Sequence, residues 1–188
     1  MVEFFSLPDN RIELPDIDTG GRILDIGGGG EGIIGLLKGD RVVAIDPNRR
    51  ELEETSNDSL MILMDACDLK FLDESFELVT SFFTLMYIHG EKWGTVFREV
   101  HRVLKDGGEF WIWDASFHIP RTVKENICMI PLKVVFPDGS IVDTGYGCRI
   151  HDQDLEDFEE LARANGFEIQ ETSREGDTFF LKLKRLPK

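Results

Sequence analysis

The chain has 188 residues, of which 41% are hydrophobic and 30% are charged, and its formal net charge is −15. This length suits one domain with a sizeable core, and the apolar content excludes a disordered chain. Because so acidic a protein repels phosphate backbones and anionic lipid surfaces, we expect neither nucleic acid nor a membrane as its partner.

The first part of the chain predicts alternating strands and helices after an irregular start. Residues 1–20 are polar and rich in turn-forming residues, and we predict an irregular lead-in there. From residue 22 onward, short apolar runs alternate with helical patterns. The apolar runs predict five strands, at residues 22–27, 41–46, 60–64, 76–82 and 109–114.

Three helices are predicted between these strands. The first covers residues 33–37 and the second covers 48–56, with Asn48 as the expected N-cap. The third, at 93–104, has the clearest pattern, because its apolar residues recur at the spacing of one helix face. The glycine pair at 107–108 should close it.

The last part of the chain predicts a helix at 155–162 and two strands at 167–172 and 178–183. Only about five residues separate these strands, too few for a crossover, so they should pair as an antiparallel hairpin. Residues 115–151 form an insertion after the fifth strand and contain a hairpin signal at 137–139. Since ligands of open α/β sheets bind at the carboxyl ends of strands, we expect this insertion to cover a ligand site.

This order of elements predicts an α/β fold in a single domain over residues 1–188. Strands that alternate with helices indicate a doubly wound, mostly parallel sheet of seven strands with helices on both faces. The terminal hairpin adds one antiparallel strand, and the insertion adds a β-hairpin after the fifth strand.

Cysteine usage and the N-terminal sequence favour the cytoplasm. The cysteines at 67, 128 and 148 form no CxxC pair, and an odd number at wide spacing is typical of free thiols in a reducing compartment. The first residues resemble no signal peptide, and no run approaches the roughly 18 apolar residues of a membrane span. The oligomeric state is left open, and no cluster indicates a metal site.

A glycine loop, DIGGGGEG at residues 25–32, joins the first strand to the first helix. Glycines allow a tight turn and let a ligand approach the backbone closely. The loop has no Gly-Lys pair, which excludes a phosphate-binding P-loop. A dinucleotide pyrophosphate, an S-adenosyl sulfonium and a turn without a ligand stay open.

Three acidic residues end strands of the predicted sheet. Asp25 ends the first strand, and Asp46 ends the second, about 20 residues past the start of the loop, where a carboxylate can bind ribose hydroxyls. Asp65 follows the third strand, where it can accept a hydrogen bond from an adenine amino group. The alternatives are a helix cap for Asp46 and a solvated turn for Asp65. All three acids fall at one edge of the sheet.

In these residues the chain resembles the class I S-adenosylmethionine-dependent methyltransferases of the small, single-domain type. The segments that carry the resemblance lie at residues 23–29, 42–46, 64–69, 76–81 and 98–108, so it covers residues 22–114 closely. The family usually has a third glycine two residues after Gly29, where this chain has Glu31. The resemblance implies a Rossmann-like methyltransferase fold, with S-adenosylmethionine as cofactor and S-adenosylhomocysteine as product.

The resemblance also implies roles for the first two cofactor-binding segments. The backbone of Gly27 and Gly29 would pack against the methionine part of the cofactor, and Gly28 belongs to the same turn. Asp25 would reach the amino group through a water molecule. Asp46 would bind the ribose hydroxyls.

The remaining cofactor contacts are implied in the same way. Pro47 would pack on the adenine, Asp65 would face the adenine amino group, and the main-chain N–H of Ala66 would face a ring nitrogen. Ser81 and Phe82 would line the far side of the sulfonium.

Methyl transfer from a sulfonium is a direct displacement, so the cofactor supplies the reactivity and the protein supplies alignment. A base is needed only if the acceptor must lose a proton. Asp114, at the end of the fifth strand, is our first candidate and Tyr87 the second. Tyr87, His118 and Tyr146 are candidate substrate contacts. For each of these residues the alternative is a surface or packing role.

Three functions follow, in order of preference. The first is methyl transfer to an unidentified acceptor, a small molecule rather than a protein side chain, because the insertion is sized to close a pocket. The second, suggested by Glu31, is an adenosyl-cofactor-binding protein without catalysis, a sensor or partner subunit. The third is a nicotinamide-dependent oxidoreductase, against which the terminal hairpin argues.

Overall fold

The computed structural model describes residues 4–117, 127–149 and 151–187. Within these ranges the chain forms two sheets and four α-helices. The strands are β1 (Phe5–Ser6), β2 (Asn10–Glu13), β3 (Ile23–Ile26), β4 (Val42–Asp46), β5 (Leu60–Leu63), β6 (Phe76–Phe82), β7 (Leu104–Ala115), β8 (Ile127–Val135), β9 (Ile141–Arg149), β10 (Phe167–Glu175) and β11 (Thr178–Arg185). The helices are α1 (Ile33–Lys38), α2 (Arg49–Glu54), α3 (Gly90–Val103) and α4 (Leu155–Ala164).

The larger sheet has seven strands in the order β10-β11-β7-β6-β3-β4-β5. The five strands from β7 to β5 are parallel, and β11 is antiparallel to both of its neighbours. The predicted fold class is therefore confirmed. The antiparallel strand is β11, which lies inside the sheet between β7 and its hairpin partner β10, while β10 forms the edge.

The middle of this sheet is buried on both faces. All four residues of β3 are buried, and six of the seven residues of β6 are buried. Such near-continuous apolar strands are typical of parallel sheets covered on both sides. At the β5 edge, by contrast, Leu60 and Leu63 are about half exposed.

Helices α3 and α4 cover one face of the sheet. The apolar stripe of α3, which includes Trp93, Phe97 and Val100, packs against Phe110 of β7 and Phe158 of α4 in one core cluster. A capping box in which the Asp154 and Asp157 side chains bind the main chain starts α4. This face matches the predicted helical layer.

The opposite face is covered mainly by the second sheet. Strand β8 pairs antiparallel with β9 on one side and parallel with β1 and β2 on the other. Ile12 of β2 and Ile130 of β8 share a core cluster with Ile23 and Trp113 of the large sheet. Helices were predicted on both faces, but on this face helix α1 packs beside a β-layer.

The prediction of an irregular lead-in at residues 1–20 is wrong, because this segment contributes β1 and β2. The two strands have only two and four residues, and their shared partner β8 is distant in sequence. Their pairing is non-local, so the composition of the segment itself gives no sign of it. The buried side chains of Ile12, Leu14 and Ile17 fix the segment against the core.

Two further predictions were tested by local geometry. The hairpin after the fifth strand is confirmed as β8 and β9, which turn at Gly139 with φ +85°. The glycine pair at 107–108 does not close α3, which ends at Val103. Instead the pair lies in β7, next to a register irregularity between β6 and β7. No helix of the described chain is long and apolar enough to cross a membrane.

Candidate functional site

A cavity of about 580 Å³ lies at the carboxyl ends of β3, β4 and β6. Its wall is formed by residues 26–27 and 29–31 of the glycine loop, residues 45–48 and 51, residues 64–66, residues 82–84 and 87–88, and residues 145–147 of β9. Small-molecule sites typically have about 300–1,000 Å³ and occur at this edge of open α/β sheets. The cavity is therefore the candidate functional site.

The structure brings most of the predicted site residues to this wall. The ones that line the cavity are Gly27, Gly29, Asp46, Pro47, Asp65, Ala66, Phe82, Tyr87 and Tyr146. The ones that do not are Asp25, Gly28, Ser81 and Asp114. His118 lies outside the described residues.

Main-chain hydrogen bonds hold the glycine loop against β4 and α2. The N–H groups of Gly27 and Gly28 both donate to the carbonyl of Ile45, at 2.8 and 3.1 Å. Gly27 has φ +69°, and a Cβ there would lie 2.3 Å from the side chain of Thr84. A side chain on Gly29 would meet the Asp46 carboxylate at 3.0 Å. Glycine is thus required by close approach at both positions.

Asp46 lies at the end of β4, half-buried on the cavity wall. Its Oδ1 accepts a hydrogen bond from the N–H of Asn48 at 2.7 Å. Burial raises the pKa of Asp46, while hydrogen bonds from the N–H groups of Asn48 and Gly29 oppose this shift. The N-cap of α2 is Asn48, whose side chain accepts from the N–H of Arg50. Helix capping therefore falls to Asn48, and Asp46 lines the cavity.

Asp65 lies on the cavity wall and also takes part in the turn after β5, and its contact with an adenine amino group stays a prediction. One carboxylate oxygen accepts a hydrogen bond from the N–H of Cys67 at 2.8 Å, which stabilises the turn after β5. The side chain is also exposed on the cavity wall, next to the buried Ala66. A carboxylate has about four acceptor positions, so the turn leaves it able to bind a ligand.

Asp25 lies beneath the glycine loop. It is buried, and its Oδ1 accepts a hydrogen bond from the hydroxyl of Thr80 at 2.7 Å. A Cβ on Gly28 would meet its other oxygen at 2.6 Å. Burial raises the pKa of Asp25 to about 7. The side chain supports the loop from below, and it does not reach the wall where a ligand's amino group was expected.

Ser81 is also buried, on β6 behind the cavity wall, and its hydroxyl has no hydrogen-bond partner in the described part of the chain. Ser81 does not line the cavity, whereas the next residue, Phe82, does, and the contact of Ser81 with a sulfonium stays a prediction.

Asp114, the first candidate for a base, does not face the cavity. Its carboxylate accepts hydrogen bonds from the side chain of Gln153 at 2.9 Å and from the N–H of Ala115 at 2.8 Å. A longer bond of 3.4 Å comes from the N–H of Met86. Burial raises the pKa of Asp114 to about 6. The side chain thus anchors the turn at 85–87 and is covered by it.

Three aromatic side chains, Phe82, Phe83 and Tyr146, form part of the cavity wall beside the glycine loop. Tyr146 of the insertion stacks on Phe83, with ring centroids 5.5 Å apart, and meets Phe82 edge-on. Phe83 has φ +48°, so the chain turns sharply and both phenylalanines reach the cavity. Burial raises the pKa of Tyr87 and of Tyr146, so both phenols are neutral near pH 7.

Glu31 connects the glycine loop to the insertion. Its Oε1 accepts a hydrogen bond from the hydroxyl of Thr144 in β9 at 2.6 Å. Glu31 is the residue that departs from the family pattern, and nothing in its sequence context indicates this contact. Phe83 and Glu51 are wall residues that were not among the predicted site residues. The acid in the first turn of α2 was a visible signal for Glu51, whereas the left-handed turn at Phe83 leaves none.

Comparison with known proteins identifies the fold. Residues 24–112 match the family model described as a methyltransferase domain, which confirms the predicted resemblance in that segment. The fold is that of the class I methyltransferases. No curated protein matches the sequence significantly.

Solved structures agree over nearly the whole chain. An S-adenosylmethionine-dependent methyltransferase from Methanosarcina mazei has a TM-score of 0.66 at 20% identity, covering 92% of this chain and 96% of its own. One from Mesorhizobium loti has a TM-score of 0.66 at 16% identity, covering 92% and 94%. The [4+2]-cyclase SpnF has a TM-score of 0.63 at 17% identity, covering 92% and 77%. At such identities these likenesses show the fold alone, and the cyclase shows that the fold does not fix the reaction.

Proposed function

We propose that this protein is an S-adenosylmethionine-dependent methyltransferase that acts on a small molecule. The methyltransferase-domain match and the structural neighbours support methyl transfer and this cofactor. The observation that carries the proposal is the cavity itself, whose wall brings Gly27, Gly29, Asp46 and Asp65 together at one sheet edge.

One end of the cavity fits an adenosine group. Asp46 and Asp65 offer carboxylate oxygens, which only accept hydrogen bonds, and the ribose hydroxyls and the adenine amino group are donors. Pro47, Ile45 and Met64 give this end apolar surface for the flat base. The donor and acceptor types are thus complementary.

The other end fits the methionine part. Gly27 and Gly29 leave the loop without side chains there, and Phe82, Phe83 and Tyr146 lie beside the loop. When bound, S-adenosylmethionine supplies the methyl group from its sulfonium. The aromatic rings would exclude water and align the acceptor, and aromatic faces attract a cation.

The acceptor side is built by the insertion and the turn at 85–87. Residues 145–147 of β9 belong to the wall, and Tyr87 lines the cavity while staying about half exposed. Since Tyr87 is neutral near pH 7, we assign it acceptor contact by hydrogen bonding rather than proton removal. Asp114 would position Tyr87 through the N–H of Met86. A wall closed by the insertion favours a small acceptor over a protein side chain.

A second candidate is cofactor binding without catalysis. The observation that favours it is the bond between Glu31 and Thr144, which ties the insertion to the loop and narrows the acceptor side. Such a protein would bind S-adenosylmethionine tightly and transfer no methyl group to any fraction offered to it.

Calorimetric titration with S-adenosylmethionine and S-adenosylhomocysteine tests the cofactor, with NAD as the control. We expect micromolar binding of both adenosyl ligands, its loss in Asp46→Ala, and no binding of NAD. Transfer of a labelled methyl group into the small-molecule fraction of a cell extract then tests the reaction. Binding of NAD alone, or of none of the three, would contradict the proposal, and label in the protein fraction would assign a protein acceptor instead.

A further inference from the structure

The cavity wall is uniformly acidic where it is charged. It carries the carboxylates of Glu31, Asp46, Glu51 and Asp65, and no lysine, arginine or histidine belongs to it within the described ranges. A concave wall of one sign concentrates ligands of the opposite sign. The cavity is therefore suited to a ligand with positive charge.

The four carboxylates are spread along the cavity wall. Asp46 ends β4 and Asp65 follows β5, at the end assigned to adenosine, whereas Glu51 of α2 lies against Gly29 and Gly30 of the glycine loop. Glu31 lies at the other end, on the glycine loop, and its Oε1 accepts the hydrogen bond from Thr144 of β9. Among the wall residues described, it is the acid that lies against the insertion.

Aromatic rings surround the Glu31 end. The charge of Glu31 and a hydrogen bond with it help to raise the pKa of Tyr146, which places the phenol beside the carboxylate. Tyr146 in turn stacks on Phe83 at 5.5 Å. A carboxylate and aromatic faces both attract a cation, and neither pairs with a second anion.

We infer that Glu31 makes the site selective for ligand charge, so that it favours S-adenosylmethionine over S-adenosylhomocysteine. This inference rests on the proposed function, because it takes S-adenosylmethionine as the ligand. The two molecules share their adenosine, ammonium and carboxylate groups, so the contacts of those groups cancel in the ratio of affinities. What differs is the methylated, positively charged sulfur.

The consequence is easier product release. Methyl transfer removes the positive charge from the sulfur, so the attraction to Glu31 is lost when the product forms. A site with this bias binds its substrate form more tightly than its product form. The third glycine of the family pattern has no side chain with which to do this, and Glu31 adds the function at that position.

The test is the ratio of two dissociation constants, measured by calorimetry in wild type and in Glu31→Gln. Pairs of exposed opposite charges are worth little each, so we expect the preference for S-adenosylmethionine to fall about three- to five-fold in the variant. Sinefungin, which carries an amino group in place of the methylated sulfur, should follow S-adenosylmethionine. Higher salt should reduce the wild-type preference more than that of the variant, which keeps the other three wall carboxylates.

Two controls separate charge from structure. Asp65→Asn removes a wall carboxylate at the adenosine end and keeps an oxygen for the N–H of Cys67, so it should change both affinities alike. Thr144→Val removes the hydrogen bond to Glu31 but keeps its charge, so the ratio should stay near that of wild type. Thermal unfolding of each variant confirms that it is folded.

An unchanged ratio in Glu31→Gln would overturn the inference, and so would an equal weakening of both ligands. A ratio that falls as far in Thr144→Val would assign the effect to the loop contact rather than to charge, and would also overturn it. Failure of the wild-type protein to bind either ligand would instead refute the proposed function as well.

Discussion

Replacing Asp46 by asparagine should weaken cofactor binding and leave the free protein at least as stable as before. Asparagine keeps one oxygen that can accept from the N–H of Asn48, which now bonds Oδ1 at 2.7 Å. The second oxygen becomes an amino group, which cannot accept a hydrogen bond from a ribose hydroxyl. The substitution therefore keeps the bond from Asn48, gives up no more than the weaker contact with the N–H of Gly29, and removes the ligand contact.

The size of the effect follows from hydrogen bonds to a charged group. Such bonds contribute about 1.5–3 kcal/mol, against about 0.5–1.5 kcal/mol for neutral ones. Losing one bond and the charge assistance of the other would cost about 2–3 kcal/mol. This corresponds to an increase of about 30- to 150-fold in Kd.

The stability of the free protein, unlike its affinity for the cofactor, should not fall in Asp46→Asn. Burial raises the pKa of Asp46, so the ionised carboxyl is less favourable in the folded protein than in the unfolded chain. A group of this kind loses stability as the pH rises from its unfolded pKa towards its folded one. At pH 7 the neutral amide avoids that loss, and the melting temperature should stay equal or rise.

Calorimetry and thermal unfolding measure the two effects on the same samples. Asp68→Asn is the matched control, since Asp68 is an exposed carboxylate that pairs with Lys70 away from the cavity wall. It should leave the Kd unchanged. A Kd for Asp46→Asn within about three-fold of wild type, or a clearly lower melting temperature, would refute the reasoning.

Three further substitutions test the structure through unfolding free energies in urea. Asp25→Asn should stabilise the protein more at pH 8 than at pH 5. Burial raises the pKa of Asp25 to about 7, so the wild-type protein loses stability as the pH rises towards that value. An equal gain at both pH values would contradict this. Gly27→Ala should destabilise by about 2–4 kcal/mol, since its Cβ would meet a threonine side chain at 2.3 Å with φ +69°, whereas Gly20→Ala, with nothing within 4 Å, should be neutral. Arg185→Ala should lower the unfolding free energy by about 2–4 kcal/mol, because this buried guanidinium pairs with two acidic side chains. The control Lys184→Ala, at an exposed residue, should lower it little. Similar losses in both variants would count against the ion pairs.

The large sheet could be predicted because the signals for its strands lie within the strands themselves and the turns next to them. Residues 23–26 and 76–82 are apolar runs of strand length, bounded by glycines or turns, and burial on both faces is what such runs require. The N-cap of α2 was predicted at Asn48 from the residue type alone, and the structure has it there. Propensity, capping and periodicity agree in these segments.

The second sheet could not be predicted in the same way. Strands β1 and β2 are short, and they are held by β8 from the far part of the chain. They become strands because their main chains hydrogen-bond to β8 and their apolar side chains pack on the core beneath the second sheet. Neither of these interactions can be inferred from residues 4–13 alone. The pairing of two segments far apart in sequence has no local signature.

Strand ends predicted the site well, but they did not predict which side chains face it. Asp46 and Asp114 both end parallel strands, and the rule that ligands bind at carboxyl ends treats them alike. The two residues differ in the face of the sheet to which their side chains point. Side chains alternate between the two faces along β7, so Asp114 points to the same face as Phe110 and Ile112, under α3 and α4. The turn at 85–87 and Gln153 then cover it.

The two halves of the cavity come from different parts of the chain. The half that we propose for the cofactor is built by the strands and loops that match the methyltransferase domain, residues 24–112. The half that we propose for the acceptor uses Tyr146 and its neighbours in β9, which belongs to the second sheet together with the N-terminal strands. A change in that sheet can alter the cavity wall around Tyr146 without touching Asp46 or the glycine loop. The contact between Glu31 and Thr144 is where the two halves meet, so a residue that departs from the family pattern stands at the point where this chain's own sheet joins the shared fold.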